Sequence, residues 1–210
     1  MAGGPSATTD RKLLAMTDPP RILAFAGSAR RDSLNVRLVR IAAEGAKDAG
    51  AEVTALDLRD FPMPLFNQDL EAADGPPEHA TQLKAIMAAH DGLLIASPEY
   101  NSSISPLLKN TIDWVSRPAD GEPMLAAFQG KVAGLMSASP GRLGGLRGLV
   151  HVRSILSNIG VLVIPDQVSV GEADSAFDEH GDLADARRHA SIQGLGRTVV
   201  KLVGWHRAVR

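Results

Sequence analysis

Hydrophobic positions along the chain change their spacing around Gly27. Before it, RILAFAG (21–27) is a short apolar run that ends at the glycine, which is typical of a strand. After it, apolar residues recur every three or four positions, as on one face of an α-helix, at Leu34, Leu38, Ile41, Ala42, Gly45 and Ala49. The pattern predicts a strand, a short loop and a helix in direct succession.

The same succession continues along the chain. AEVTALDL (51–58) predicts a second strand, RDFPMPLFNQDL (59–70) a loop, and residues 76–90 a helix with Leu83, Ile86 and Met87 facing inward. The later predicted elements are a buried strand in DGLLIASPEYN (91–101), a helix that Ser105 and Pro106 begin and that runs to about Ser116, a strand in GKVAGLMSASPG (130–141), a helix from Gly145 to Ile159, a strand in GVLVIPDQVSV (160–170) and a helix from Asp182 to about Trp205.

Strands that alternate with helices at this spacing predict an α/β fold, with a parallel sheet covered by helices on both faces. Five strands favour the flavodoxin-like three-layer sandwich with strand order 2-1-3-4-5. In that order the first and third strands are neighbours, and a ligand cleft opens at their carboxyl ends. We therefore expect the loops after strands one, three and four to form the binding site.

Composition and charge narrow the classes of function. A chain of 210 residues suits one core, so we expect a single domain over residues 21–210 after a flexible leader, residues 1–20, that is rich in Gly, Pro, Ser, Thr and Ala. A formal net charge of −2 argues against a nucleic-acid or membrane partner. The chain has no cysteine, secretory signal or long apolar run, so we expect a cytoplasmic protein whose redox chemistry would need a bound cofactor.

The loop GSARRDSLN (27–35) has the features of a phosphate site. The helix N-terminus supplies free N–H groups and partial positive charge, and hydroxyls, an amide and a guanidinium stand beside it on Ser28, Ser33, Asn35 and Arg30. Neither GxGxxG nor GK[ST] is present, so these groups suit a terminal phosphate monoester better than a pyrophosphate. In the alternative interpretation, Ser33 is only a helix cap and the arginines are solvated.

Two further loops have unusual composition. SPEYNSSISPLLKNTIDW (97–114) carries the single tyrosine of the chain, Tyr100, beside amide groups that could border a flat ligand. It can also be interpreted as a plain strand-to-helix connection. SASPGRLGGLRG (137–148) is rich in glycine but lacks the Lys of a P-loop. Its glycines could serve close packing on a flat ring, flexibility or phosphate contact. Arg142 would face either a nicotinamide nucleotide or water.

In these segments the chain resembles the NADPH-dependent FMN reductase family, which includes quinone and chromate reductases and some azoreductases. The matching segments are GSARRDSLN (27–35), which fits the family pattern G-S-x-R-x-x-S-x-N, SPEYNSSISPLLKNTIDWVSR (97–117) and SPGRLGGLRGLVHVRSIL (139–156). They occur in the family's order and spacing, and the second motif is highly specific. The resemblance runs from about Arg21 to the fifth strand.

The resemblance implies an FMN site made of residues from all three loops. The 5′-phosphate would be held by the first loop, through Ser28, Arg30, Ser33, Leu34 and Asn35. The isoalloxazine ring would be bordered, mostly through backbone groups, by Pro98, Glu99, Tyr100 and Asn101, with Ser139 and Gly141 over its other side.

The implied activity is a ping-pong oxidoreductase reaction. NADPH or NADH would give a hydride to the flavin, and a quinone, azo or nitro compound, free flavin or metal oxyanion such as chromate would then take the electrons. An electron carrier or flavin-bound regulatory module without NADPH turnover is the alternative. Such carriers are usually strongly acidic, and this chain is nearly neutral.

The remaining candidate residues concern surfaces and metals. Leu107 and Trp114 project to one side of the core stripe of their predicted helix, which suggests contact with another subunit. The resemblance also implies a homodimer or homotetramer. The alternative is that Trp114 covers a neighbouring loop. His151 and Arg153 are expected to be solvated or at an interface. No spacing of His and carboxylate residues suggests a metal site.

Overall fold

The computed structural model describes residues 18–209 and contains a five-stranded sheet and six α-helices. In chain order the elements are β1 (Arg21–Ala26), α1 (Leu34–Asp48), β2 (Glu52–Leu56), α2 (Gln68–Asp74), α3 (Glu78–Ala88), β3 (Gly92–Ala96), α4 (Pro106–Val115), β4 (Val132–Ala138), α5 (Leu146–Asn158), β5 (Leu162–Val170) and α6 (Ala186–Val209). Within residues 18–209, every helix falls short of the length or the hydropathy that a bilayer-spanning segment needs.

The sheet is parallel and its strands lie in the order β2-β1-β3-β4-β5, which confirms the predicted flavodoxin-like topology. Alternate residues of each central strand point to opposite faces, so that Ala24 packs under α1 and α6 whereas Phe25 packs under α3, α4 and α5. Two apolar cores therefore enclose the sheet. The reversal of strand order between β1 and β3 places a crevice at their carboxyl ends.

Helices α1 and α6 pack backbone against backbone. A Cβ atom added at Gly45 would lie 2.1 Å from the Gln193 carbonyl oxygen, and one added at Gly196 would lie 2.0 Å from the Ala42 carbonyl oxygen. Both glycines are thus required by close approach of the two helices. This contact fixes α1, whose first turn forms one wall of the crevice.

Element boundaries differ from the predicted ones most clearly around the end of β2, which is Leu56 rather than Leu58, and at the last helix, which runs to Val209 rather than about Trp205. The last helix begins at Ala186 rather than Asp182, and the Asp185 carboxylate accepts the Arg187 N–H at 2.9 Å, as a capping side chain does. The predicted 59–70 loop contains the end of a short 3₁₀ turn and the start of α2. Residues 1–17 of the predicted leader lie outside the described residues, while the Pro20 carbonyl accepts the Glu52 N–H.

The interpretation of Trp114 as part of a subunit interface is wrong. Its side chain is buried, and the indole Nε1–H donates to the Pro64 carbonyl oxygen at 2.8 Å. The Phe66 ring meets the indole edge to face, with 5.0 Å between ring centroids. The segment after β2 therefore covers this side of α4, and Trp114 gives no support to oligomerisation.

Candidate functional site

The loops that follow β1, β3 and β4 meet at one small cavity of about 90 Å³ at the carboxyl edge of the sheet. We call them the β1 loop (27–33), the β3 loop (97–105) and the β4 loop (139–145). The cavity is lined by Ser28, Arg30, Ser33, Leu34, Asn35, Pro98, Glu99, Tyr100, Ala138, Ser139 and Pro140. The lining thus includes every predicted site residue except Asn101 and Gly141. A separate cavity between α1 and β2 contains only Ser28 of that set.

The β1 loop presents two buried hydroxyls and two exposed guanidiniums. Ser33 caps α1, with its Oγ accepting the Val36 N–H at 3.4 Å, and Ser28 Oγ accepts the Arg30 N–H at the same distance. The capping role expected in the alternative interpretation is therefore confirmed for Ser33. It is compatible with ligand binding, because a hydroxyl keeps a donor and a second lone pair.

The two arginines of this loop differ in what they face. Both are exposed, and no ion pair among residues 18–209 includes either of them. Arg30 lines the cavity and Arg31 does not. Only Arg30 is therefore placed to contact an anion at the N-terminus of α1.

Asn35 has a structural role that the sequence did not reveal. Its Nδ2–H donates to the Ala138 carbonyl oxygen at 2.9 Å, and its Oδ1 accepts the Ala138 N–H at 3.0 Å. The side chain is buried and both polar atoms have protein partners. Its amide joins α1 to the end of β4 and keeps one Nδ2 hydrogen that the pairing with Ala138 does not use.

The β3 loop is held in a tight turn that starts at the tyrosine. Tyr100 and Ser103 exchange backbone hydrogen bonds of 2.9 and 3.0 Å, while Asn101 and Ser102 have φ angles of 50° and 66°. Positive φ at both central residues is the geometry of a type I′ turn. The Tyr100 side chain remains 46% exposed beside the cavity, which a plain connection would not require. Ser105 caps α4, as predicted, and donates to the Gly27 carbonyl oxygen.

Glu99 uses its side chain inside the protein. The carboxylate is buried, accepts the Gly148 N–H at 3.2 Å and the Arg147 Nε–H at 2.8 Å, and so joins the β3 loop to the first turn of α5. Burial acts to raise the pKa of Glu99, but the hydrogen bonds from Arg147 and Gly148 and the Arg147 charge outweigh it, so that the pKa lies below its ordinary value. The carboxylate is thus ionised at neutral pH.

The glycines around the β4 loop are required by protein packing rather than by a phosphate. A Cβ atom at Gly144 would lie 2.6 Å from the Val170 carbonyl carbon, and one at Gly148 would lie 3.1 Å from the Ser103 carbonyl oxygen. Gly145 packs in the same way against Ser137. Gly141 is different, since it is exposed and, within residues 18–209 and beyond its chain neighbours, only the Ser139 hydroxyl would approach its Cβ within 4 Å.

Two other polar side chains have partners that were not predicted, and three more lie close together. His151 Nδ1 lies 2.8 Å from the Ser103 hydroxyl, and Arg153 donates to the β5 carbonyls of residues 163 and 165 rather than being free in solvent. One possible ligand atom from each of Glu44, Asp182 and His189 lies within 4.8 Å of the others. These three residues belong to separate segments, so spacing along the sequence gave no signal of the cluster.

Known proteins are similar to this chain in sequence and in fold. The profile of the family described as NADPH-dependent FMN reductase matches residues 20–175. An NAD(P)H-dependent FMN reductase of Pseudomonas aeruginosa is 36% identical over 179 residues, covering 85% of this chain and 92% of the relative. A probable NADPH:quinone oxidoreductase of Oryza sativa is 36% identical over 170 residues, covering 79% of each.

A solved structure gives the same result. The flavoenzyme NAD(P)H:(acceptor) oxidoreductase FerB from Paracoccus denitrificans superimposes with a TM-score of 0.72 and 26% identity, over 89% of this chain and 98% of that one. The family profile covers β1 to the end of β5, which includes all three loops of the cavity. The chain belongs to the NADPH-dependent FMN reductase family.

Proposed function

We propose that this oxidoreductase holds FMN at the edge of the sheet where the three loops meet, with only part of the cofactor inside the small cavity, and passes electrons from NAD(P)H to quinones. The observation that carries the proposal is the joining of the β1 and β3 loops in one cavity, because each supplies groups for a different part of the same cofactor. Neither loop alone would bind both a phosphate and a ring.

The donor set suits the phosphate end of FMN. Hydroxyls of Ser28 and Ser33, the guanidinium of Arg30 and the first N–H groups of α1 would converge on one terminal phosphate. A helix N-terminus and a guanidinium both favour a dianion over a neutral group. The absence of glycines that would admit a pyrophosphate agrees with a mononucleotide.

The β3 and β4 loops suit the ring end. Backbone groups of residues 98–101 and the exposed Tyr100 would border one side of the isoalloxazine, with Ser139 and Gly141 on the other. Bound FMN supplies a two-electron hydride acceptor, while the protein orients it and limits access of water. A ping-pong order follows if nicotinamide and acceptor use the same face in turn. We extend the proposed acceptors to azo and nitro compounds, free flavin and chromate.

We further propose that the protein is a cytoplasmic homodimer or homotetramer. Supporting this, Leu143, Leu146 and Val150 form an exposed apolar stripe where α5 begins, beside the β3 loop. A subunit packed on that stripe would also shield the ring end of the cavity from water. The proposal of a second subunit therefore rests on this exposed stripe and not on Trp114, which is buried.

One anaerobic experiment tests the electron transfer. NADPH or NADH is added to the FMN-loaded protein, and the absorbance near the flavin maximum is followed before and after addition of a quinone. We expect loss of the yellow colour with the nicotinamide and its return with the quinone. Colour that persists with both nicotinamides would instead indicate the electron carrier or regulatory module.

A further inference from the structure

An ion pair with one buried and one exposed member joins the β3 loop to the first turn of α5. Glu99 lines the cavity and its side chain is 7% exposed, whereas the side chain of its partner Arg147, in the first turn of α5, is 57% exposed. The guanidinium contacts the carboxylate through both Nε and an Nη nitrogen. The negative charge thus belongs to a residue that lines the proposed FMN site, and the charge that neutralises it comes from the neighbouring helix.

The geometry keeps the carboxylate oriented toward α5. The Gly148 N–H binds the second carboxylate oxygen, and the missing side chain at Gly148 lets the helix approach the Glu99 Cα and Cβ closely. The positive end of the α5 dipole adds to the charge of Arg147. His151, one turn later, fixes the far side of the loop through Ser103.

We propose that Arg147 sets the reduction potential of the bound flavin by neutralising the Glu99 carboxylate beside the ring. The inference rests on the proposed FMN site. Reduction of FMN adds two electrons and one or two protons, so the reduced form carries at least as much negative charge as the oxidised form. An unpaired carboxylate next to it, in a site of low dielectric constant, would destabilise the reduced form selectively.

In this role Arg147 is a positioning residue that acts through Glu99 and touches no reacting atom. If the ion pair had only a structural role, loss of either member would shift the reduction potential in the same direction. If the pair acts through its charges, the two substitutions shift the reduction potential in opposite directions, because one leaves an unpaired anion and the other an unpaired cation. The sign of the change therefore separates the two roles.

The test is a cycle of Arg147→Gln, Glu99→Gln and the double variant, each loaded with FMN and equilibrated with a reference dye of known potential. Arg147→Gln should weaken binding of reduced relative to oxidised FMN about tenfold, a shift of about −30 mV for a two-electron couple. Glu99→Gln should shift the potential upward, and the double variant should return close to the wild type. Arg142→Gln, which removes an exposed arginine of the β4 loop, is the matched control and should shift it much less.

Two outcomes would overturn the inference: unchanged potentials in both single variants, or shifts of the same sign. Arg147→Lys provides a second variant that keeps the charge, and its potential should stay near the wild-type value. Flavin retained after gel filtration is measured first by absorbance. A wild-type protein that retains no FMN would refute the proposed site itself, whereas retained FMN with unshifted potentials would refute only the role of Arg147.

Discussion

The β1 and β3 loops leave paired strands and reach the same cavity, yet the protein holds them differently. In the β1 loop the serine contacts are 3.4 Å long, and the exposed arginines form no ion pair with any of residues 18–209. The β3 loop has a closed turn, a buried carboxylate clamp and a capped helix behind it. A phosphate is recognised by charge and N–H groups that can adjust, whereas a flat ring requires a surface of fixed shape.

The β1 loop is nevertheless fixed at its C-terminal end, where Asn35 bonds to Ala138 of β4. We predict that Asn35→Ala lowers the free energy of unfolding of the FMN-free protein by about 2 to 6 kcal/mol. The substitution leaves the buried N–H and carbonyl of Ala138 without partners, at about 1 to 3 kcal/mol each. Urea unfolding followed by circular dichroism measures the change.

Asn158→Ala serves as the control, since Asn158 is an exposed asparagine at the end of α5 and its change should stay within about 0.5 kcal/mol. A loss below about 1 kcal/mol for Asn35→Ala would mean that α1 and β4 are held together by other contacts. The β1 loop would then not depend on the Asn35–Ala138 contact for its position.

The second prediction concerns the exposed side of the same loop. Arg30→Ala should weaken FMN binding ten- to hundredfold, because one charge-assisted contact is worth about 1.5 to 3 kcal/mol, while the fold is unchanged. Quenching of FMN fluorescence on titration measures the affinity, and circular dichroism checks the fold. The effect should diminish at high salt, as expected for an exposed charge.

Arg31→Ala is the matched control, with an equal loss of charge one residue away but outside the cavity lining. We expect less than about a twofold change for it, since a solvated charge at this distance is screened. Equal effects of the two substitutions would show that the loop attracts the phosphate only through its general charge. The contrast between an adaptable and a fixed loop would then need another basis.

Much of this architecture could be predicted from local patterns. The strand order followed from five alternating strands and helices, and the start of α4 followed from Ser105 and Pro106. Trp114 was misjudged for a physical reason. A helical wheel shows which residues share a face, but it does not show that the segment carrying Pro64 and Phe66 folds back to cover that face.

For the candidate site, too, local patterns revealed one part and long-range contacts determined the other. The residues that line the cavity were found by motif, but the partners of their side chains were not. Asn35 bonds to a residue 103 positions away, and Glu99 to one 48 positions away. Such contacts depend on how α1 and α5 approach the sheet edge. The only local signal was the close spacing of Gly145 and Gly148, which in retrospect indicates a helix that packs tightly against the β3 loop.

The smallest predicted effect concerns strain in the β3 loop. Both Asn101 and Ser102 have positive φ, whereas no residue of the β1 loop does. Asparagine tolerates this region, but serine pays about 1 to 2 kcal/mol of strain. Glycine would remove that strain, although its greater entropy in the unfolded chain would cancel part of the gain. We therefore predict that Ser102→Gly raises the free energy of unfolding by about 0.5 to 1 kcal/mol.

Asn101→Gly provides the comparison within the same turn and should change the free energy of unfolding by less than about 0.5 kcal/mol. Both are measured by urea unfolding without FMN, and FMN affinity is then measured for each. A gain in stability with weaker FMN binding would mean that the strained turn holds Tyr100 in the orientation the ring needs. If Ser102→Gly destabilises the protein, the serine side chain itself supports the turn, and the strain is not what distinguishes this loop from the β1 loop.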